Sequence, residues 1–198
     1  MNRLLLATHN ADKVEEIRAL LAGMSITILT PADFPGLRET VEDADTLEGN
    51  ALKKAREAFA ATGVSAVADD TGLEVHYLNK APGVFSSRYS GPDATYASNC
   101  KKLLDNLRGV PERRRAARFR CVVAFVPVQG GEYAVEGICR GVILESPRGA
   151  NGFGYDPVFL PDGFRETFGE MDLLRKNTLS HRARAFLAFK ELLRSRGW

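Results

Sequence analysis

The sequence predicts an α/β fold, a long, mixed, twisted β-sheet with helices packed on it and a cleft between two lobes as the natural ligand site. Three observations carry this. Strand-like runs alternate with helical patterns through the first half of the chain. Strand-like runs then follow one another through the middle, as in a meander. The chain has 198 residues, 44% of them hydrophobic, which is enough to bury a sizeable core. Residues 1–198 are expected to form a single domain.

The elements justify themselves in order. Arg3–Ala7 (RLLLA) is a short buried-strand run that breaks at Thr8-His9-Asn10. A helix follows, with Val14, Ile17, Leu20 and Leu21 on one face and Gly23 past its end. Ile26–Leu29 is a second strand, and the acid-rich PADFPGLRETVEDAD reads as loop. Thr46 opens an alanine-rich helix that is strongest over Ala51–Ala61. Ala66–Ala68 and Leu73–Tyr77 read as two strands separated by Asp69-Asp70-Thr71-Gly72. Asn79–Gly91 is a long loop, and a helix spans roughly Asp93–Leu107. Pro111–Arg120 (PERRRAARFR) reads as a solvated linker running into an edge strand, because the charge run is short and lacks interleaved aromatics. Arg118–Val128, Glu132–Cys139 and Gly141–Leu144 are successive strands, with Gly130-Gly131 as a hairpin turn. Val158–Leu160 is one more short strand, and Ser180 caps a last helix over His181–Arg196.

Composition removes several classes of function. A formal net charge of +2 argues against a surface that coats nucleic acid. Cys100, Cys121 and Cys139 are odd in number and lack metal-ligand spacing, so they read as reduced, mostly buried thiols. The opening MNRLLLATHN has too short an apolar run for a signal peptide, and no run approaches a membrane span. A soluble cytoplasmic protein is expected, with no membrane and no nucleic-acid partner.

The chemistry centres on Ala66–Gly91. Its apolar start delivers two adjacent carboxylates, Asp69 and Asp70. Like charges that close suppress each other's ionisation unless a cation compensates. Carboxylate oxygens are the ligands Mg²⁺ prefers, usually one or two of them with substrate phosphates. The pair therefore reads as a divalent-metal and general-base site, against the plain alternative of a solvated turn.

Three other stretches carry ligand chemistry. The strand–loop–helix at Thr8–Lys13 offers backbone N–H groups at a helix start, with Asn10 as cap and Lys13 on the first turn. Phe153-Gly154-Tyr155-Asp156 joins an aromatic face, a glycine that permits close approach, and an acid. Lys176–Arg182 (KNTLSHR) sets a lysine, a serine, a histidine and an arginine around another helix start. Each alone is as readily structural. Together, with metal ligands, they suit a nucleoside triphosphate.

The motifs that carry these residues are ATHNADK at 7–13, TLEGNALKKA at 46–55, VADDTGLEV at 67–75, APGVFSSRYSG at 81–91, GFGYDPVF at 152–159 and KNTLSHRARA at 176–185. Through them the chain resembles, nearly end to end, the inosine triphosphate pyrophosphatase family, which hydrolyses non-standard purine nucleoside triphosphates (ITP, dITP, XTP) to the monophosphate and pyrophosphate. The resemblance implies an elongated mixed sheet in two lobes around a central nucleotide-binding cleft, a homodimer, and Mg²⁺ as cofactor. It implies that Thr8, His9, Asn10, Ala11, Asp12 and Lys13 bind the triphosphate. Asp70 matches the general base and a metal ligand, with Asp69 beside it. Glu42 matches a second metal acid, though the segment Thr40–Glu48 is less family-like and leaves Glu39, Glu42 and Asp43 as alternatives. Lys54 matches the catalytic lysine and is the expected cleft-facing member of the Lys53/Lys54 pair. Thr71 stands near substrate. Phe153, Gly154, Tyr155, Asp156, Lys176, His181 and Arg182 match base and sugar recognition. Many members carry glycine at the position of His9; its backbone N–H is retained, so phosphate binding is expected to survive.

Overall fold

A computed structural model describes residues 2–198. The elements are β1 (Asn2–Leu6), α1 (Ala11–Leu20), β2 (Ile26–Leu29), α2 (Leu47–Thr62), β3 (Ala66–Val75), β4 (Pro82–Gly83), α3 (Tyr96–Asn106), β5 (Ala116–Val126), β6 (Tyr133–Ile143), β7 (Phe159–Pro161), α4 (Leu173–Lys176) and α5 (His181–Ser195). The strands form a seven-stranded sheet in the order β2-β1-β3-β5-β6-β7, with β4 on β3. It is mixed, as the sequence predicts: β1 runs parallel to β2 and β3, while β4 is antiparallel to β3 and β7 to β6.

The chain forms two compact units. The first holds residues through Asp70, then Cys121–Gly137 and Arg182–Trp198; the second holds Thr71–Arg120 and Ile138–His181. In the first unit, β1 is covered on both faces, the burial pattern of a parallel sheet. Leu4 and Leu6 join Ile17 of α1, Leu21 at its C-terminal cap, and Phe186, Phe189 and Leu193 of α5. Leu5, pointing the other way, packs with Ala58 of α2, Val64 and Ala66. Burying a side chain such as Phe189 contributes about 1.5–3 kcal/mol. The second unit has its own core, in which Leu103 of α3 and Leu107 at its C-terminal cap meet Leu73, Phe119, Phe159 and Phe168.

Several expectations are corrected. The two runs around Asp69-Asp70 are one continuous strand, so the acid pair sits inside β3 and not at a strand end. Nearby cations compensate the carboxylates, and no turn is needed to expose them. β5 is interior, between β3 and β6, not an edge. Arg118 and Arg120 are tolerated there because both reach Glu74, at 2.7 and 2.9 Å. Glu132–Cys139 and Gly141–Leu144 are a single strand, β6. The long loop contains the two-residue β4. The short helix α4 went unforeseen.

Candidate active site

The phosphate-type loop is built as its residues suggest. Asn10 caps α1, its Oδ1 accepting from the Lys13 backbone N–H at 3.0 Å. Thr8 Oγ1 accepts from the Asn10 N–H at 3.2 Å. His9, Ala11 and Asp12 are exposed, leaving the start of α1 open to solvent. Because Lys13 lies on the first helical turn, its Nζ can reach β3, where it stands 3.0 Å from Asp69 Oδ2.

Asp69 is buried and ringed by cations. Besides Lys13, Arg182 Nη2 lies 3.2 Å from the same oxygen, and the Cys121 thiol contacts it at 3.8 Å. Burial pushes its carboxyl up, but Lys13, Arg182 and Lys54 outweigh that and hold it well below the usual carboxylate range. Arg182 also bonds Glu16, so one guanidinium ties α1 and α5 to β3.

Asp70 is in a different position. Its Oδ1 is 3.6 Å from Lys54 Nζ and its Oδ2 accepts from Asn50 Nδ2 at 3.1 Å. Burial, with the charge of Glu42 behind it, raises its carboxyl above the ordinary value despite Lys54. Two neighbouring carboxylates are thus driven apart: one is a fixed anion, the other proton-accepting, the pattern expected where one acid is structural and one chemical. Lys54 bonds Glu42 and gives 2.7 Å to the Asp69 carbonyl. Burial lowers its ammonium, but Asp70, Glu42 and Asp69 together raise it, so it stays charged.

These contacts sort the open alternatives. Of the adjacent lysines, Lys54 faces the acids while Lys53 pairs with Asp43 on the surface at 2.6 Å. Of the acids Glu39, Glu42 and Asp43, Glu42 is the one on Lys54. Two side chains outside the expected set also belong to this cluster. Asn50 lies one turn before Lys54 on α2, the spacing that puts both on one face, and its Oδ1 accepts from Ala44 N–H at 2.9 Å, tethering the acid-rich loop to Asp70. Glu16 gave no signal, since a lone acid on a helix reads as solvated.

A metal ion has two candidate protein ligands here, Glu42 and Asp70, converging on the Lys54 ammonium. No group of three or more His, Cys, Asp or Glu side chains with metal-binding geometry occurs among the described residues. Two carboxylates completed by phosphate oxygens is a donor set that suits Mg²⁺.

The second unit holds the aromatic stretch. Asp156 Oδ2 accepts from the Phe153 N–H at 2.9 Å and from Lys176 Nζ at 2.5 Å. Gly152 (φ +69°) makes this possible: a Cβ there would fall 2.1 Å from that oxygen. Lys176 Nζ stands 4.8 Å over the Phe153 ring. Tyr155 gives its hydroxyl to the Ser86 carbonyl at 2.8 Å, and burial pushes its ionisation far up, so it remains a neutral donor. His181 stacks on Phe119 at 4.4 Å and 14°. Thr71 is half-buried. The unit boundaries cut two motifs, between Asp70 and Thr71 and between His181 and Arg182.

Comparison with known proteins bears on this geometry. Residues 4–192 match the Ham1 family. The chain is 47% identical over 198 residues to a dITP/XTP pyrophosphatase of Geobacter sulfurreducens, covering 100% of this chain and 98% of that protein. It is 47% identical over 182 residues to a dITP/XTP pyrophosphatase of Lactiplantibacillus plantarum, covering 92% and 90%. The solved HAM1 protein of Coxiella burnetii superposes with a TM-score of 0.89 at 38% identity, covering 98% of this chain and 100% of that one.

Proposed function

The chain belongs to the Ham1 family, and from that premise we propose that it hydrolyses non-standard purine nucleoside triphosphates (ITP, dITP and XTP) to the monophosphate and pyrophosphate, removing them from the nucleotide pool. The observation that carries this is the split acid pair, Asp69 clamped by Lys13 and Arg182, Asp70 raised and facing Lys54. A mere binder of a polyanion gains little from added carboxylates, whereas hydrolysis needs a proton acceptor and charge neutralisation.

The geometry supports the following roles. Asp70 accepts a proton from the attacking water as the bond to the pyrophosphate leaving group breaks. Lys54 and Lys13 supply positive charge to phosphate oxygens, and the open start of α1 with Thr8 and Asn10 supplies N–H donors. Glu42 and Asp70, with Asp69 as neighbour, would hold Mg²⁺, which would supply positive charge to the phosphate oxygens. Phe153–Asp156, Lys176, His181 and Arg182 receive base and sugar. A 6-oxo purine is told from adenine by donors aimed at O6, because adenine's amino group leaves such donors unpaired.

A panel of ITP, dITP, XTP, ATP, GTP and pyrimidine triphosphates with Mg²⁺, read by pyrophosphate and monophosphate release, tests this. Turnover concentrated on ITP, dITP and XTP, with ATP and GTP spared, bears it out. Binding without release would make the chain a nucleotide sensor, and preference for pyrimidines would overturn the substrate class. The homodimer is part of the same proposal, checked by light scattering. No helix among the described residues is long and apolar enough to cross a membrane.

A further inference from the structure

Helix α3 has no part in the roles above, yet one of its faces carries the loop that presents Phe153. Cys100 contacts the Gly154 carbonyl at 3.2 Å, and burial, with Asp156, pushes its thiol up to about 11, so it remains a donor. Asn99 accepts from the Ser90 N–H at 2.7 Å and donates to the Ser87 carbonyl at 2.9 Å. The neighbouring Ser86 carbonyl receives the Tyr155 hydroxyl. Both Asn99 and Cys100 are buried, and packing accounts for them.

Tyr96 is different. It is the first residue of α3, placed by the Thr95 cap, whose side chain accepts from Ser98 N–H. Four residues before Cys100, it shares that residue's helix face. The residue is 45% exposed. Yet it lies 5.8 Å from the Phe153 ring, tilted by 40°. At that separation and tilt no third ring fits between the two, so Tyr96 flanks Phe153 instead of forming the opposite wall of a slot. Phe153 sits between Gly152 and Gly154, at φ +69° and +62°, with its N–H on Asp156 and Lys176 over its ring, and Tyr96 adds a ring contact to these.

We propose that Tyr96 is a positioning residue for base recognition: its ring sets the tilt of Phe153, so that the planar base of the substrate stacks on a face already held in place. This rests on the reading that Phe153 receives the base. Preorganisation of this kind acts on binding of the whole nucleotide and not on the hydrolytic step, because Tyr96 touches no reacting group.

The test is steady-state kinetics with ITP and Mg²⁺ on the full chain and its Tyr96→Ala, Tyr96→Phe and Phe153→Ala variants. Tyr96→Ala is expected to raise KM about 2- to 10-fold, the weight of one aromatic pair, with kcat unchanged and Tyr96→Phe at the wild-type KM. A Tyr96→Trp variant adds a second readout: its emission, after subtraction of the wild-type signal from Trp198, should change saturably with IMP and not with pyrophosphate. If Phe153→Ala raises KM and Tyr96→Ala does not, the inference about Tyr96 falls while the base-end reading stands. If neither moves KM, the base-end reading falls and takes the inference with it. A KM raised equally by Tyr96→Phe overturns a role for the ring. Should Tyr96→Ala fail to fold, the Tyr96→Trp signal decides, an unresponsive emission overturning the proposal.

Discussion

Arg182 holds Asp69 from 113 positions away in the sequence, its Nη2 standing 3.2 Å from Oδ2 with both side chains closed to solvent. The same guanidinium bonds Glu16 on α1. Removing it takes a guanidinium from two buried carboxylates. Arg182→Ala is therefore expected to cost about 3–5 kcal/mol of stability, the usual consequence of deleting one partner of a buried pair. Urea unfolding measures this; a loss under 1 kcal/mol would show that solvent reaches Asp69 freely. The folded Arg182→Lys protein separates a second question by kcat/KM: a loss confined to ITP assigns Arg182 to the base, and one shared with ATP assigns it to the carboxylates.

Asp70→Asn keeps the size of the side chain and its contact to Asn50 but removes the proton acceptor. Turnover of ITP should fall by about 10²–10⁴-fold, the range of a general base. Circular dichroism establishes that the variant folds. Near-normal turnover by such a protein would move the base elsewhere.

Lys13→Ala should weaken the triphosphate more than the monophosphate product, because Lys13 sits on the first turn after the Thr8–Asn10 loop with its ammonium on Asp69. The expected difference is about 1.5–3 kcal/mol, the worth of one hydrogen bond to a charged group. Calorimetric titration with a non-hydrolysable triphosphate and with IMP gives both affinities. Equal losses would mean that Lys13 only neutralises Asp69.

Glu74 supplies a pH prediction outside the proposed site. Burial raises its carboxyl, but hydrogen bonds and charge from Arg120 and Arg118 prevail and lower it. A carboxyl whose folded value is depressed contributes stability above its unfolded value, about 4.3 for Glu, and loses it as pH falls through the folded value. Wild type should thus exceed Glu74→Gln in stability by a constant margin near neutrality, and the margin should shrink below about pH 4. A margin that persists unchanged at pH 3 would show that the arginines do not stabilise the charged form.

Much of the fold was legible because its signals are local. Asn10 before a periodic apolar stripe announced α1, and Thr46 announced α2, since a cap acts within three residues. Where local signals conflicted with tertiary ones, the reading slipped. Asp-Asp-Thr-Gly has the composition of a turn, yet β3 runs straight through it because Lys13, Lys54 and Arg182 arrive from elsewhere to neutralise the pair. PERRRAARFR has the composition of a solvated edge, yet Arg118 and Arg120 find Glu74 on the neighbouring strand.

By itself the sequence determined the fold class and, through its motifs, the family resemblance, because periodicity and motif spacing are properties of the chain alone. The surroundings of each member of the adjacent pairs were decided only by the tertiary structure. Asp69 and Asp70 are adjacent and identical in kind, and Lys53 and Lys54 likewise. What distinguishes them is which way each side chain points from β3 or α2, how deeply it is buried and which distant charge it meets. Charge interactions in a buried setting depend on distances of a few ångströms between residues tens of positions apart, and only the folded chain brings Lys13, Glu42, Lys54 and Arg182 to those distances.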